Sequence, residues 1–223
     1  MTNKSSHQEW TVAVGEAETT ALYDPAADTD TVLVLAHGAG GSMLDRSMLA
    51  LSRALNDQEL SVVRFNFLYR ARGSGRPDPM PKLEETFTAV VERARSELSP
   101  KKLIIGGRSM GGRAGSMLAS KGFDCDGLAL FAYPLHPPGH PEKLRDAHLP
   151  SIEVPVICFS GTRDPFISQD LMEKVLTNVK TKWDMQWLEA ADHSFHVPKS
   201  SGRSDAELLG EVAAKTKEWV GTL

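Results

Sequence analysis

The stretch Leu103-Ile104-Ile105-Gly106-Gly107-Arg108-Ser109-Met110-Gly111-Gly112-Arg113 decides how the rest of this chain is read. Its apolar, β-branched start has the character of a buried strand. Beyond it, Ala114, Met117 and Leu118 recur at helical spacing. Between the two lies G-x-S-x-G, as Gly107, Ser109 and Gly111. The bare motif arises by chance, and a glycine-rich turn that needs its glycines only for packing has the same letters. The strand before and the helix after supply what the letters lack. A serine on a strained strand-to-helix turn needs small residues two places to either side, so that the backbone can fold that tightly. The turn lifts the hydroxyl clear of the sheet and aims the Met110 N–H and the helix N-terminus at a developing oxyanion. Ser109 is therefore the expected nucleophile and Met110 an expected oxyanion donor.

Upstream, the run Leu33-Val34-Leu35-Ala36 leads into His37-Gly38-Ala39-Gly40-Gly41. This has the form of the H-G-x-G element that supplies a second oxyanion donor from the main chain, and the donor is assigned to Ala39. A merely flexible glycine loop accounts for the glycines but not for their place, directly after a buried strand and ahead of the serine turn.

Downstream, a serine nucleophile on this kind of turn needs an acid and then a histidine. Asp164 follows a strand ending at Ser160, in Gly161-Thr162-Arg163-Asp164-Pro165-Phe166. His193 follows a strand ending at Leu188, in Glu189-Ala190-Ala191-Asp192-His193-Ser194-Phe195. Both fall just past a strand's carboxyl end, where Ser109 also falls. The histidine would take the serine's proton and the aspartate would hold the ring's tautomer. Asp192 adjoins His193, and adjacent side chains seldom pair in this geometry. Asp124 and Asp126 precede a strand and so belong to the other sheet edge. His196 is the rival base, with a rim or substrate contact as its other role. His136, His140 and His148 lie in a proline-rich loop, and His193-x-x-His196 lacks the i,i+4 spacing of a helical zinc pair, so neither metal nor cofactor is expected.

Short apolar runs alternate with helical patterns along the whole chain, which is the pattern of a mostly parallel sheet wrapped by helices. Strands are expected at Trp10–Val14, Thr31–Ala36, Ser61–Phe67, Lys102–Gly106, Gly127–Phe131, Val154–Ser160 and Lys182–Leu188. Helices are marked by Met48, Leu51 and Leu55, by the stripe through Leu83–Leu98, by Leu171, Met172, Val175 and Leu176, and by a last one opening on the capping box Ser204-x-x-Glu207. A length of 223 residues suits a single α/β domain over 1–223.

At 41% hydrophobic and 24% charged the composition is ordinary, and a net charge of -4 makes no case for binding nucleic acid or an anionic membrane, which would call for clustered Lys and Arg. Apolar runs such as Val32 to Ala36 are far shorter than a membrane span, and the opening MTNKSSHQEW lacks the apolar core of a signal peptide. Two cysteines make no disulfide framework, and Cys158 reads as buried filler. A cytoplasmic protein is the expectation, with its oligomeric state open.

Two proline-rich loops, Leu68–Pro81 and Tyr133–Pro150, follow strands and are expected to rim the site. Prolines in the second leave room for one short helix around Glu142–His148 and no large lid. Tyr69, Arg70, Arg72 and Arg76 in the first would give the rim positive charge for an anionic acyl substrate, although loop arginines are commonly just solvated. Met110, Phe166 and Phe195 would supply an apolar wall, so Tyr69, Arg70, Arg72, Phe166 and Phe195 are the expected substrate contacts.

With these motifs placed, the chain resembles the α/β-hydrolase superfamily, in its small dienelactone-hydrolase-like section. The strings Gly107-Arg108-Ser109-Met110-Gly111-Gly112-Arg113, Gly161-Thr162-Arg163-Asp164-Pro165-Phe166 and Asp192-His193-Ser194-Phe195 resemble one branch of it in particular. That branch holds the third subunit of the nonspecific-lethal chromatin complex and a testis-expressed hydrolase-like protein. The resemblance runs from about Val32 to the C-terminus. It implies an eight-stranded, mainly parallel sheet with helices on both faces, and serine, acid and base roles for Ser109, Asp164 and His193. Dienelactone hydrolases proper use a cysteine nucleophile, so their substrate does not carry over to Ser109. The expected function is hydrolysis of an ester or thioester of a small acyl compound through an acyl-enzyme. Acyl transfer would use the same groups, and a non-catalytic scaffold is the alternative from another class, which the chromatin-linked relatives suggest. A scaffold has no need of a complete Ser/Asp/His set beside two glycine-lined oxyanion elements.

Overall fold

The computed structural model describes residues 7–27 and 29–223, so most of the polar opening read above, Met1–Ser6, lies outside the described residues. Its eight strands are β1 Gln8–Val14, β2 Ala17–Asp24, β3 Thr31–Ala36, β4 Ser61–Phe65, β5 Lys102–Arg108, β6 Gly127–Phe131, β7 Val156–Gly161 and β8 Trp183–Leu188. They form one sheet in the order β1-β2-β4-β3-β5-β6-β7-β8. The pairs β1–β2 and β2–β4 are antiparallel and every other pair is parallel. Seven strands lie within two residues of their expected bounds at either end. The eighth, β2, has no counterpart in the strand reading. Its sequence AETTALYD buries little beyond Thr19, Ala21 and Leu22 and pairs with β1 through a tight turn at Gly15. A half-exposed strand near a sheet edge lacks the continuous apolar run that reveals a central one.

Among the described residues six α-helices flank the sheet: α1 Arg46–Asp57, α2 Leu68–Ala71, α3 Met80–Leu98, α4 Met110–Ala119, α5 Gln169–Leu176 and α6 Asp205–Val220. Successive residues of each central strand serve opposite faces. Val32, Val34 and Ala36 of β3 pack with α3, α4 and α5, whereas Leu33 and Leu35 pack with α1 and α6. The same alternation runs through β5, β6 and β7, which is why these strands are apolar throughout. Helix α3 begins before its apolar stripe because Pro81 occupies its first turn, where a missing N–H costs nothing. The capping box of α6 closes as read, with Glu207 N–H donating to Ser204 Oγ at 3.2 Å and Ser204 N–H to Glu207 Oε2 at 2.7 Å.

Both proline-rich loops differ in detail from expectation. The first contains α2, and Pro81 belongs to α3. The second holds no α-helix at Glu142–His148, only a 3₁₀ turn at Leu149–Ser151, so nothing like a large cap stands over the sheet. No helix among the described residues is long and apolar enough to cross a membrane.

Candidate active site

Register in the parallel sheet brings the carboxyl ends of β3, β5, β6, β7 and β8 to one edge: Ala36 lies beside Gly107, Arg108 beside Phe131, and Gly161 beside Leu188. Every chemistry-bearing loop leaves the sheet there. Ser109 is the residue between β5 and α4, and its backbone is held at φ 49°, ψ −116°, a region that side chains rarely adopt. Its N–H still bonds to Phe131 C=O at 2.9 Å, so the chain turns while attached to β6. The flanking glycines are required by close approach. A Cβ on Gly107 would lie 2.2 Å from Ala36 O, and one on Gly111 would lie 2.3 Å from the same atom. The serine turn is thus pressed onto the end of β3.

That contact also sets the His37–Gly41 segment against the serine, for a Cβ on Gly38 would meet Ser109 Cβ at 3.6 Å. The buried His37 ring holds the segment. Its Nε2 accepts from Phe67 N–H at 3.2 Å, which leaves the proton on Nδ1, donated to Gly38 C=O at 2.8 Å. Burial lowers its pKa below the ordinary histidine value, which suits this neutral bridging role. Neither Ala39 N–H nor Met110 N–H has an intramolecular acceptor among the described residues, and both residues line the cleft above Ser109.

Asp164 and His193 arrive from the loops after β7 and β8. His193 Nε2 lies 2.9 Å from Ser109 Oγ, and His193 Nδ1 lies 2.7 Å from Asp164 Oδ2. A carboxylate only accepts, so Nδ1 carries the proton and Nε2 presents its lone pair to the serine hydroxyl. The Asp164 side chain is wholly buried, and its other oxygen accepts from Phe166 N–H at 2.8 Å. The Phe166 ring stacks on His193 with centroids 4.2 Å apart. Arg108, buried behind the serine, donates from Nη2 to His193 C=O at 2.7 Å and lies over the Phe195 ring at 5.4 Å. The histidine is therefore fixed from its ring face, its Nδ1 and its own carbonyl.

The competing carboxylates are elsewhere. Asp192 Oδ1 accepts from Ser194 N–H and His196 N–H, which shapes the loop. Asp126 accepts from Leu103 N–H at the start of β5, and Asp124 pairs with Arg95. His196 points away from Ser109 and pairs with Asp205 at the start of α6.

The cleft over Ser109 has a volume of about 500 Å³. Of the five expected substrate contacts only Phe166 lines it. Tyr69 is buried in α2, packed edge-on to His37 and stacked on Phe67, so it backs the glycine segment. Arg72 turns outward to Asp78 at 2.7 Å and borders a separate depression with Tyr69 and Arg76. Arg70 lines neither hollow. Phe195 is buried beneath Arg108. The arginines that do line the cleft are Arg108, Arg113 and Arg145, none of which sequence reasoning chose. Arg113 was within reach, because it follows Ser109 by one helical turn and so faces the same way. No cluster of three metal-ligating side chains occurs among the described residues.

The fold has known counterparts. The model of the alpha/beta hydrolase domain family matches residues 29–221. An alpha-beta serine hydrolase homologue from Coxiella burnetii superposes with a TM-score of 0.76 at 18% identity, covering 93% of this chain and 96% of the other. A dienelactone hydrolase from Anabaena variabilis gives 0.74 at 19% identity, covering 96% of each chain. An a/b serine hydrolase without lid from Xanthomonas campestris gives 0.75 at 20% identity, covering 97% of this chain and 96% of the other. At these identities the solved structures speak to the fold, while the family match spans most of the sequence: the chain belongs to the alpha/beta hydrolase domain family.

Proposed function

We propose that this single-domain chain is a serine hydrolase that cleaves an ester or thioester of a small acyl compound, with Ser109, His193 and Asp164 as its triad. The observation that carries the reading is the unbroken relay from Ser109 Oγ through His193 to a wholly buried Asp164, opening on an uncapped cleft. In the first half-reaction Ser109 Oγ bonds to the substrate's carbonyl carbon while its proton passes to His193 Nε2. The carbonyl electrons move to oxygen, which the free N–H groups of Ala39 and Met110 receive. Collapse of the intermediate breaks the bond to the leaving oxygen or sulfur, which takes the proton from Nε2. Water then attacks the acyl-enzyme, gives its proton to Nε2, and releases the acid as the proton returns to Ser109. Asp164 keeps the ring in the required tautomer and stabilises its charged form. The strings that resemble the chromatin-complex branch do not decide between enzyme and scaffold, and a scaffold would have no use for the strained serine and its two free donors.

A fluorophosphonate probe tests the reading directly. Wild type should label covalently, and Ser109→Ala should lose labelling and about 10⁴-fold or more of its ester turnover with its circular dichroism unchanged. A Ser109→Ala protein that still turned over esters at near wild-type rate would sink the assignment. A panel of p-nitrophenyl esters and acyl-CoA thioesters of graded length separates ester from thioester use.

A further inference from the structure

We propose that Arg113 and Arg145 form an anion subsite at one end of the Ser109 cleft, and that the substrate is an ester carrying a carboxylate. This deepens the hydrolase reading and rests on it. Arg64, Arg72, Arg93, Arg95 and Arg203 each meet a carboxylate within 3.0 Å. Arg113 and Arg145 meet none among the described residues; neither do Arg46, Arg53, Arg70, Arg76 and Arg163, but none of those five lines the Ser109 cleft. Arg113 Nε is buried without any acceptor, and Arg145 makes a single long bond of 3.4 Å to Pro134 C=O. Yet both line the same cleft as Ser109. Arg108 differs, since its guanidinium is already held by His193 C=O and the Phe195 ring.

Partly buried, unpaired guanidiniums close to each other are costly unless something anionic visits them. Burial first, and then the neighbouring Arg113 charge, lower the Arg145 pKa. His148 next to them adds no charge at neutral pH, because burial and Arg113 push its imidazole down to about 4. Its Nε2 lies 2.8 Å from Ser116 Oγ. Among the described residues the one carboxylate lining the cleft is Asp45, whose two oxygens accept from Ser42 N–H and Ser42 Oγ in the glycine-rich turn.

The two arginines are also delivered on fixed backbone. Arg113 N–H bonds to Ser109 C=O at 3.0 Å. Arg145 N–H bonds to Leu135 C=O at 2.8 Å, and its own carbonyl accepts from the buried Tyr133 hydroxyl at 2.6 Å. Further along, His136 N–H ties that loop to Phe166 C=O. Main chain is tied down while the charged ends are left open, which is what a prepared ligand site requires. Two planar forks from separate elements suit a carboxylate held by paired N–H bonds.

The test has a binding arm and a kinetic arm. In the Ser109→Ala protein, calorimetry should show monomethyl adipate binding roughly 10- to 100-fold tighter than methyl hexanoate, the size-matched neutral ester. Adding Arg113→Gln and Arg145→Gln should bring the two within about threefold, Lys at both positions should keep part of the difference, and the surface variant Arg93→Gln should keep all of it. In the otherwise wild-type protein, kcat/KM is compared for the same pair and for 5-acetoxypentanoate against pentyl acetate, which moves the carboxylate to the alcohol side. A preference for either carboxylate ester that collapses in the double Gln variant supports the subsite. Equal use of charged and neutral esters, or a preference that survives the double variant, overturns it. Absent fluorophosphonate labelling would sink the hydrolase reading alone, and the binding arm would still decide the subsite.

Discussion

Two histidine–aspartate pairs stand three residues apart in the segment after β8, and they are nearly the same in distance. His193 Nδ1 lies 2.7 Å from Asp164 Oδ2, and His196 Nδ1 lies 3.0 Å from Asp205 Oδ2. Their surroundings differ. Asp164 is wholly buried and the His193 side chain 22% exposed, whereas His196 is 62% exposed and Asp205 52%. The second ring nitrogen of His193 reaches Ser109, and Arg108 and Phe166 hold the ring in place. The His196 pair lies in solvent at the start of α6, where water screens it; Val197 N–H donates to Asp205, but His196 Nε2 has no partner among the described residues. A short His–Asp distance therefore says little about function. Burial of the acid and the destination of the other nitrogen say much more.

Replacing each histidine in turn should give the largest difference. His193→Gln should lower kcat by about 10⁴-fold or more, while His196→Gln should stay within about twofold. The reverse pattern in fluorophosphonate labelling would make His196 the base.

The two acids should differ in the same way. Asp164→Asn should cost about 10⁴-fold in kcat by releasing the ring's tautomer, with the melting temperature as the control for folding. Asp205→Asn should leave turnover nearly intact and touch only stability, because its amide oxygen can still accept from Val197 N–H. Here the pH window is the signature. The hydrogen bond that His196 donates to Asp205 raises the His196 pKa above 6.5, so that contribution is full below 6.5 and fades as pH rises through the raised value. His196 in turn lowers the Asp205 pKa below 3.8, so that contribution is present above 3.8 and fades as pH falls through the lowered value. The stabilisation is therefore full only between the two, near pH 4 to 6.5. Asp205→Asn should lower the melting temperature by about 1–2 °C within that window and by less at pH 9.

Arg108 probes whether positioning distinguishes the pairs. Arg108→Met removes the donor to His193 C=O and should reduce kcat roughly 10- to 100-fold, since a small misplacement of a base costs that much. Arg108→Lys, which can still donate to that carbonyl, should recover part of the rate. Unchanged kcat in Arg108→Met would remove the positioning role.

The contrast also marks where sequence reading succeeds. The serine turn, the glycine segment after β3 and the Ser, Asp, His order after β5, β7 and β8 were legible because each is a local signal: steric tolerance at two glycines, or a polar residue just past an apolar run. Strand β2 was not, because Thr19, Ala21 and Leu22 are buried among exposed neighbours and only its partners make it a strand. The rim charge was misplaced for a related reason. Arg70 and Arg72 stand together in a loop of the right kind, but α2 turns one toward no cleft and Asp78 takes the other. Arg145 carried no local signal at all, lying among Glu142, Lys143 and Asp146 as a solvated loop residue would.

The α/β alternation, the strained turn and the candidate serine, acid and base positions were readable from sequence, because period, backbone sterics and side-chain chemistry act within a few positions. The tertiary structure decided which of two histidines meets Ser109 across 84 positions of chain, which aspartate meets it across 29, and which arginines gather beside them. Those are matters of burial and proximity between distant segments. They follow from how the loops pack over the sheet's carboxyl edge, and no short stretch of sequence contains that packing.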